Sequence, residues 1–161
     1  PRFGMRMELQ QPYGNLTYYG RGPLENYIDR YSSSFIGRYE DKVANQFYWY
    51  IRPQETGNKT DVRWLSLLDS EGQGVRITGL QPIAFSALHF SPEDLDPGLT
   101  RKLQHTIDIV PQKNIFLHVD LKQRGLGGDN SWGMYPYNKY RLLDKKYVYS
   151  YMIELAEKGS D

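Results

Sequence analysis

The chain has 161 residues, 39% hydrophobic and 24% charged, with a net charge of +1. That suits one domain with a buried core and argues against disorder. The near-neutral balance excludes the basic footprint of a nucleic-acid binder, the absence of cysteine excludes disulfides and thiolate metal sites, and no apolar run approaches a membrane span.

Fourteen Tyr, six Phe and three Trp favour pleated, half-buried surfaces, and 15 Gly and nine Pro supply turns. The chain opens with Pro1-Arg2-Phe3-Gly4, neither a signal peptide nor an initiator methionine, and so reads as part of a longer protein. Met5–Leu9 and Leu16–Tyr19 alternate apolar and polar residues, as strands with one buried face do. Gly20, Gly22 and Pro23 then impose loop geometry. The segment 25–38 is ambiguous and reads as loop with a short turn of helix. Val43–Ile51 is aromatic-rich and strand-like; 53–60 is a loop. Val62–Leu68 and Val75–Leu80 flank Asp69-Ser70-Glu71-Gly72, a hairpin signal. Phe85–Phe90 is a further strand. Ser91-Pro92 has the form of a helix start, with Pro97-Gly98 as its stop.

Thr106–Val110 and Ile115–Leu121 read as strands. In the second, Leu117, Val119 and Leu121 share one face; His118, Asp120 and Lys122 share the other, which puts His118 at the surface. A glycine-rich loop follows over 125–134, then strands at Tyr140–Leu142 and Tyr147–Leu155. The basic pair Lys145-Lys146 reads as a solvated turn. Many short strands at even spacing predict an all-β, antiparallel sandwich or barrel forming a single domain over 1–161.

Among chemistry-bearing groups, Glu25 and Asp29 are the nearest approach to a carboxylate pair. A carboxylate in a Gly-Pro loop more commonly accepts backbone or arginine hydrogen bonds, here from Arg21 or Arg30. Glu55 has the same reading, with Arg63 or Lys59 as partner. His89, His105 and His118 have no metal-ligand spacing. Trp49 and Trp64 fall in strand-like runs and are expected in the core. Trp132 stands in the glycine-rich loop, beside Asp129 and Asn130. A flat indole there is either a core residue or a platform for the C–H face of a sugar. Asp129 and Asn130 are suited to orienting the loop through Asx turns, with direct sugar contact the lesser alternative. Tyr135, Tyr137 and Tyr140 would extend an aromatic surface or pack on a neighbouring domain.

Three stretches carry a resemblance: Tyr19-Gly20-Arg21-Gly22-Pro23-Leu24-Glu25-Asn26-Tyr27-Ile28-Asp29-Arg30; Pro53-Gln54-Glu55-Thr56-Gly57 with Asp61-Val62-Arg63-Trp64; and Gly127-Gly128-Asp129-Asn130-Ser131-Trp132. In order and spacing they resemble the last, small-chain domain of glycoside hydrolase family 2 β-galactosidases. The resemblance implies an antiparallel supersandwich similar to galactose mutarotase, of which this chain would be a C-terminal part. It implies that Trp132 reaches into a catalytic barrel encoded upstream and walls the aglycone side of lactose. Both catalytic carboxylates would sit on that barrel, so this chain alone should be inactive. Magnesium and sodium would be held near the barrel, leaving no cofactor for this chain. Family enzymes are commonly oligomers, which admits a homo-oligomer, in a bacterial cytoplasm or periplasm. The family often has Asp where Asn130 stands, which weakens any role for a charge there. Two other readings are a stand-alone carbohydrate-binding module and a mutarotase-like enzyme with a His–carboxylate pair in a concave pocket.

Overall fold

A computed structural model of the protein describes residues 1–96, 98, 104–130, 132–157 and 159. Its strands are β1 (Arg2–Leu9), β2 (Asn15–Gly22), β3 (Phe35–Lys42), β4 (Lys59–Leu68), β5 (Gln73–Leu88), β6 (Ile115–Gln123) and β7 (Tyr151–Glu157), with one short helix, α1 (Pro92–Leu95). All the strands belong to one antiparallel sheet in the order β1-β6-β5-β4-β2-β3, and β7 adds to β5. The fold is therefore all-β, as the aromatic and turn-rich composition implies.

The 16-residue β5 organises this sheet. Its first half, Gln73–Gly79, lies between β4 and β7; its second half, Ala84–Leu88, pairs with β6. The break falls at Gly79–Pro82, where the β4–β5 register jumps from Trp64↔Thr78 to Val62↔Ile83. Proline offers no N–H to a ladder, and a bulge accommodates it. The segments read as two strands are thus one bent strand. The Asp69–Gly72 turn joins β4 to β5 as expected, with Asp69 Oδ1 accepting from Glu71 N at 2.9 Å and Gln73 N at 2.8 Å.

Leu16 and Tyr18 of β2, Leu65 and Leu67 of β4, Phe85 of β5 and Leu117 of β6 are all fully buried in one cluster. Phe85 meets the Tyr18 ring edge-on at 5.2 Å. A second, smaller cluster joins Phe47, Leu88, Phe90, Leu95 and Ile109.

Several local expectations are corrected. β2 continues through Gly20 to Gly22, because Gly20 lies so close to β4 that a Cβ would sit 2.6 Å from Val62. The last four residues of the ambiguous segment, from Phe35, open the edge strand β3, and no helix forms in the segment. Val43–Ile51 is not a strand: a single 3-10 turn at Val43–Asn45 leads into irregular chain whose Phe47 joins the second cluster. Trp49 is accordingly 58% exposed, resting edge-on against Phe47, and Trp64 is half-buried with Arg76 stacked 4.1 Å above it, so neither is a core residue. Thr106–Asp108 is a 3-10 turn closed by Asp108 onto the His105 N–H at 2.7 Å. Asn138–Tyr140 is another such turn, and β7 begins at Tyr151 rather than Tyr147.

Ser91 caps α1 as expected, in a reciprocal capping box with Asp94. The stop at Pro97-Gly98 lies partly outside the described residues, as does Ser131. The polar face of β6 is only partly wet, with Lys122 exposed. Asp120 is fully buried and His118 half-buried, because the chain around Pro53–Glu55 and the α1 region cover that side.

Candidate functional site

The three sequence stretches are far apart in the chain and meet in space. The first forms a platform. Asn26 is fully buried and donates to the carbonyls of Arg21 and Leu24, both at 3.0 Å. Its Oδ1 accepts from the Thr60 N–H at 2.8 Å, and Asn58 Nδ2 donates to the Asn26 carbonyl at 2.7 Å. Arg21 pairs with Asp61 at 2.5 Å. These bonds between buried amide, backbone and charged groups fix the first stretch onto the second.

Glu25 is the hub of that junction. Its carboxylate accepts from Arg30 at 2.5 Å, Gly57 N at 2.8 Å, Thr56 at 3.2 Å and the Tyr50 hydroxyl. Burial pushes its pKa up, but the bonds from Tyr50 and Gly57 and the Arg30 charge outweigh burial and hold it below the ordinary value. A carboxylate so occupied is an anchor. Of its two expected arginine partners, Arg30 serves and Arg21 goes to Asp61. Glu55 pairs with Arg2 at 2.6 Å, not with Arg63 or Lys59; Lys59 Nζ instead donates to Gln46 Oε1 at 2.9 Å. The loop before β4 folds Glu55 back onto β1, out of reach of those two cations.

The third stretch is tied to the first through Asp29. The backbones of Tyr27 and Arg30 bond each other at 3.0 and 2.8 Å, which presents Ile28-Asp29 at a tight turn. Asp29 Oδ2 accepts from the Gly127 N–H at 2.7 Å. A Cβ on Gly125 would lie 2.6 Å from that same oxygen, so only glycine lets the loop lie against the carboxylate.

Beyond Gly127 the loop closes on itself. A Cβ on Gly128 would collide with the Met134 carbonyl at 2.5 Å. Asn130 Oδ1 accepts from the N–H groups of Trp132 at 3.1 Å and Met134 at 3.4 Å, the Asx turn anticipated at that position. Asp129 is exposed beside it. The indole of Trp132 is 84% exposed, so the core alternative for this residue is ruled out. Next to it lies a cavity of about 770 Å³, lined by Asp29, Gly127, Gly128, Tyr135, Tyr137 and Arg141 among others. Arg141 and Arg124 stack on the Tyr135 ring at 4.7 and 5.6 Å.

Elsewhere, His118 has its pKa pushed down to about 4, first by burial and then by Arg2 and Arg6. Asp120 is pushed up to about 6 by burial, against the pull of Arg2 at 3.3 Å. The expectation of a surface histidine is met only in part: His118 is half-buried, because the polar face of β6 is partly covered while Lys122 stays exposed. Among the described residues no group of three or more His, Cys, Asp or Glu side chains is gathered to hold a metal ion. No described helix is long and apolar enough to cross a membrane.

What a linear reading missed is the Asp29–Gly127 contact, 98 residues apart in sequence. The only linear hint was that the two stretches occur together.

Residues 1–153 match the family described as the β-galactosidase small chain. The β-galactosidase of Priestia megaterium is 37% identical over 142 residues, covering 88% of this chain and 13% of that protein. The β-galactosidase BgaC of Bifidobacterium adolescentis is 36% identical over 145 residues, again 88% and 13%. The β-galactosidase of Streptococcus thermophilus is 32% identical over 156 residues, 96% and 15%. The chain thus spans about 13–15% of the length of these relatives. Its sequence, from β1 into β7, places it in the β-galactosidase small chain family.

Proposed function

We propose that this chain works as part of a bacterial β-galactosidase that hydrolyses terminal β-galactosides such as lactose, and that Trp132 forms an aromatic wall of the aglycone subsite. The observation that carries this reading is an indole left 84% exposed on a loop whose base is pinned. A solvated indole is costly unless a partner covers it, and the C–H face of a pyranose is a fitting partner. Asn130 orients the Trp132 backbone, and Asp129, exposed on the same loop, is available to sugar hydroxyls.

A retaining glycosidase needs two carboxylates about 5–5.5 Å apart, one as acid/base and one as nucleophile. The best sequence candidates here are committed elsewhere: Glu25 to five donors and Asp29 to Gly127. In this proposal the reacting pair, its barrel and any magnesium or sodium lie on other parts of the polypeptide. This chain supplies binding and orientation.

The test is Trp132→Ala in the complete enzyme. Losing one stacking platform costs on the order of 1–3 kcal/mol, the scale of burying a large side chain. That corresponds to about 5- to 150-fold in kcat/KM for lactose. A galactoside with a methyl aglycone, which does not reach the wall, should respond much less. Unchanged lactose kinetics would refute the assignment. Galactoside turnover by this chain alone would refute the division of labour.

A further inference from the structure

We infer that Asp29 is a positioning residue for the Trp132 loop, setting the orientation of the aromatic wall from a turn 98 residues away in sequence. The inference rests on the aglycone-wall reading above and goes beyond it in naming what holds the wall in place.

Three observations support it. The carboxylate makes a 2.7 Å charge-assisted bond to the Gly127 N–H, at the point where the loop leaves the body of the domain. Gly125 and Gly127 both lie where a side chain would press on Asp29 Oδ2, at 2.6 and 3.2 Å. The carboxylate therefore occupies the floor on which the loop rests. The base carrying Asp29 is itself rigid, since Tyr27 and Arg30 are doubly bonded and Asn26 is fixed to β4.

The cost of this placement is visible. Asp29 Oδ1 is buried without a hydrogen-bond partner among the described residues.

Distance gives the lever. From Gly127 the chain runs five residues to Trp132, the far part held by Asn130 alone among the described side chains. Freeing the base would let the indole swing. A platform displaced by about 1 Å loses much of its contribution to a positioned substrate.

The experiment compares Asp29→Ala, Asp29→Asn, Trp132→Ala and the Asp29→Ala/Trp132→Ala double variant in the complete enzyme, with lactose and with a methyl galactoside. For Asp29→Ala, kcat/KM for lactose should fall on the order of tenfold, the low end for a hydrogen bond to a charged group. The methyl galactoside should change by less than about twofold. Asp29→Asn, which keeps an acceptor oxygen, should recover most of the loss. In the Trp132→Ala background, Asp29→Ala should have no further effect. Gly125→Ala, which pushes on the same carboxylate from the loop side, should reproduce Asp29→Ala and serves if that variant fails to fold.

If Trp132→Ala itself leaves lactose kinetics unchanged, the aglycone-wall reading fails. If Trp132→Ala impairs lactose while Asp29→Ala and Gly125→Ala do not, only the positioning role is overturned. Equal losses from Asp29→Ala with and without the indole would also overturn it, since Asp29 would then act by another route.

Discussion

Replacing Glu25 with alanine should loosen the junction between the first two family stretches more than any other single surface-loop change. The side chain is 12% exposed and accepts from Arg30, Tyr50, Thr56 and the Gly57 N–H. Arg30 is 55% exposed and can return to water, so its share is small. The Gly57 N–H and the Thr56 hydroxyl are less able to do so. Leaving them unpaired places the loss at about 2–3 kcal/mol. For a chain of this length that lowers Tm by about 4–12 °C. Thermal unfolding followed by near-ultraviolet circular dichroism reads it.

The pH dependence sharpens this prediction. The folded Glu25 pKa lies below its ordinary value of 4.5, so the folded state binds this proton less tightly than the unfolded chain. The stabilisation is complete above that ordinary value and is lost as pH falls through the folded one. The stability gap between parent and Glu25→Ala should therefore shrink as pH drops below 4.5. A Tm within 1–2 °C of the parent at neutral pH, or a gap that widens in acid, would refute the hub role.

Two further predictions concern buried charges. Lys59 has its pKa lowered to about 8, by burial first, with Glu25 and Asp41 opposing. The unfolded chain then holds the extra proton between about 8 and 10.5, and folding stability should rise with pH across that window; in Lys59→Met, chemical denaturation at pH 8 and 10 should show the rise removed. Asp120 behaves oppositely: raised to about 6 from 3.8, it favours the fold when protonated, and that contribution is lost as pH climbs between those values. Asp120→Asn should gain on the parent over the same interval. His118, lowered to about 4, gives a parent trend of opposite sign, so the variant-minus-parent difference is the quantity to measure. A flat difference would contradict the burial of Asp120.

The strands with one buried face were the legible part of the fold. Met5–Leu9 and Leu16–Tyr19 alternate because each has one covered side, and the Asp69–Gly72 turn announces the hairpin that Val62–Leu68 enters. β3 left no such trace, since as an edge strand it keeps Phe35 and Ile36 exposed alongside its charges. Val43–Ile51 misled for a different reason: Phe47 joins a side cluster while Tyr48 and Trp49 stay exposed, an arrangement without a two-residue period. His118 and Asp120 were misplaced because alternation cannot say that a loop returns to cover the polar face of a central strand.

At the site, the residue types were readable and their partners were not. For Trp132 the glycine-rich loop left core residue and platform both open, and the exposed ring removes the first; Asn130 signals an Asx turn. That Asp29 rather than a neighbour holds the loop depends on the tight Tyr27–Arg30 turn and on where β6 ends, both set by long-range packing.

The most direct test of the aromatic wall is a structure of the complete enzyme with lactose bound and its nucleophile removed. The indole of Trp132 should lie flat against the glucose ring, with carbon–carbon contacts of about 3.5–4 Å. An indole turned away from the sugar, or covered by another domain with no path to the aglycone, would contradict the account.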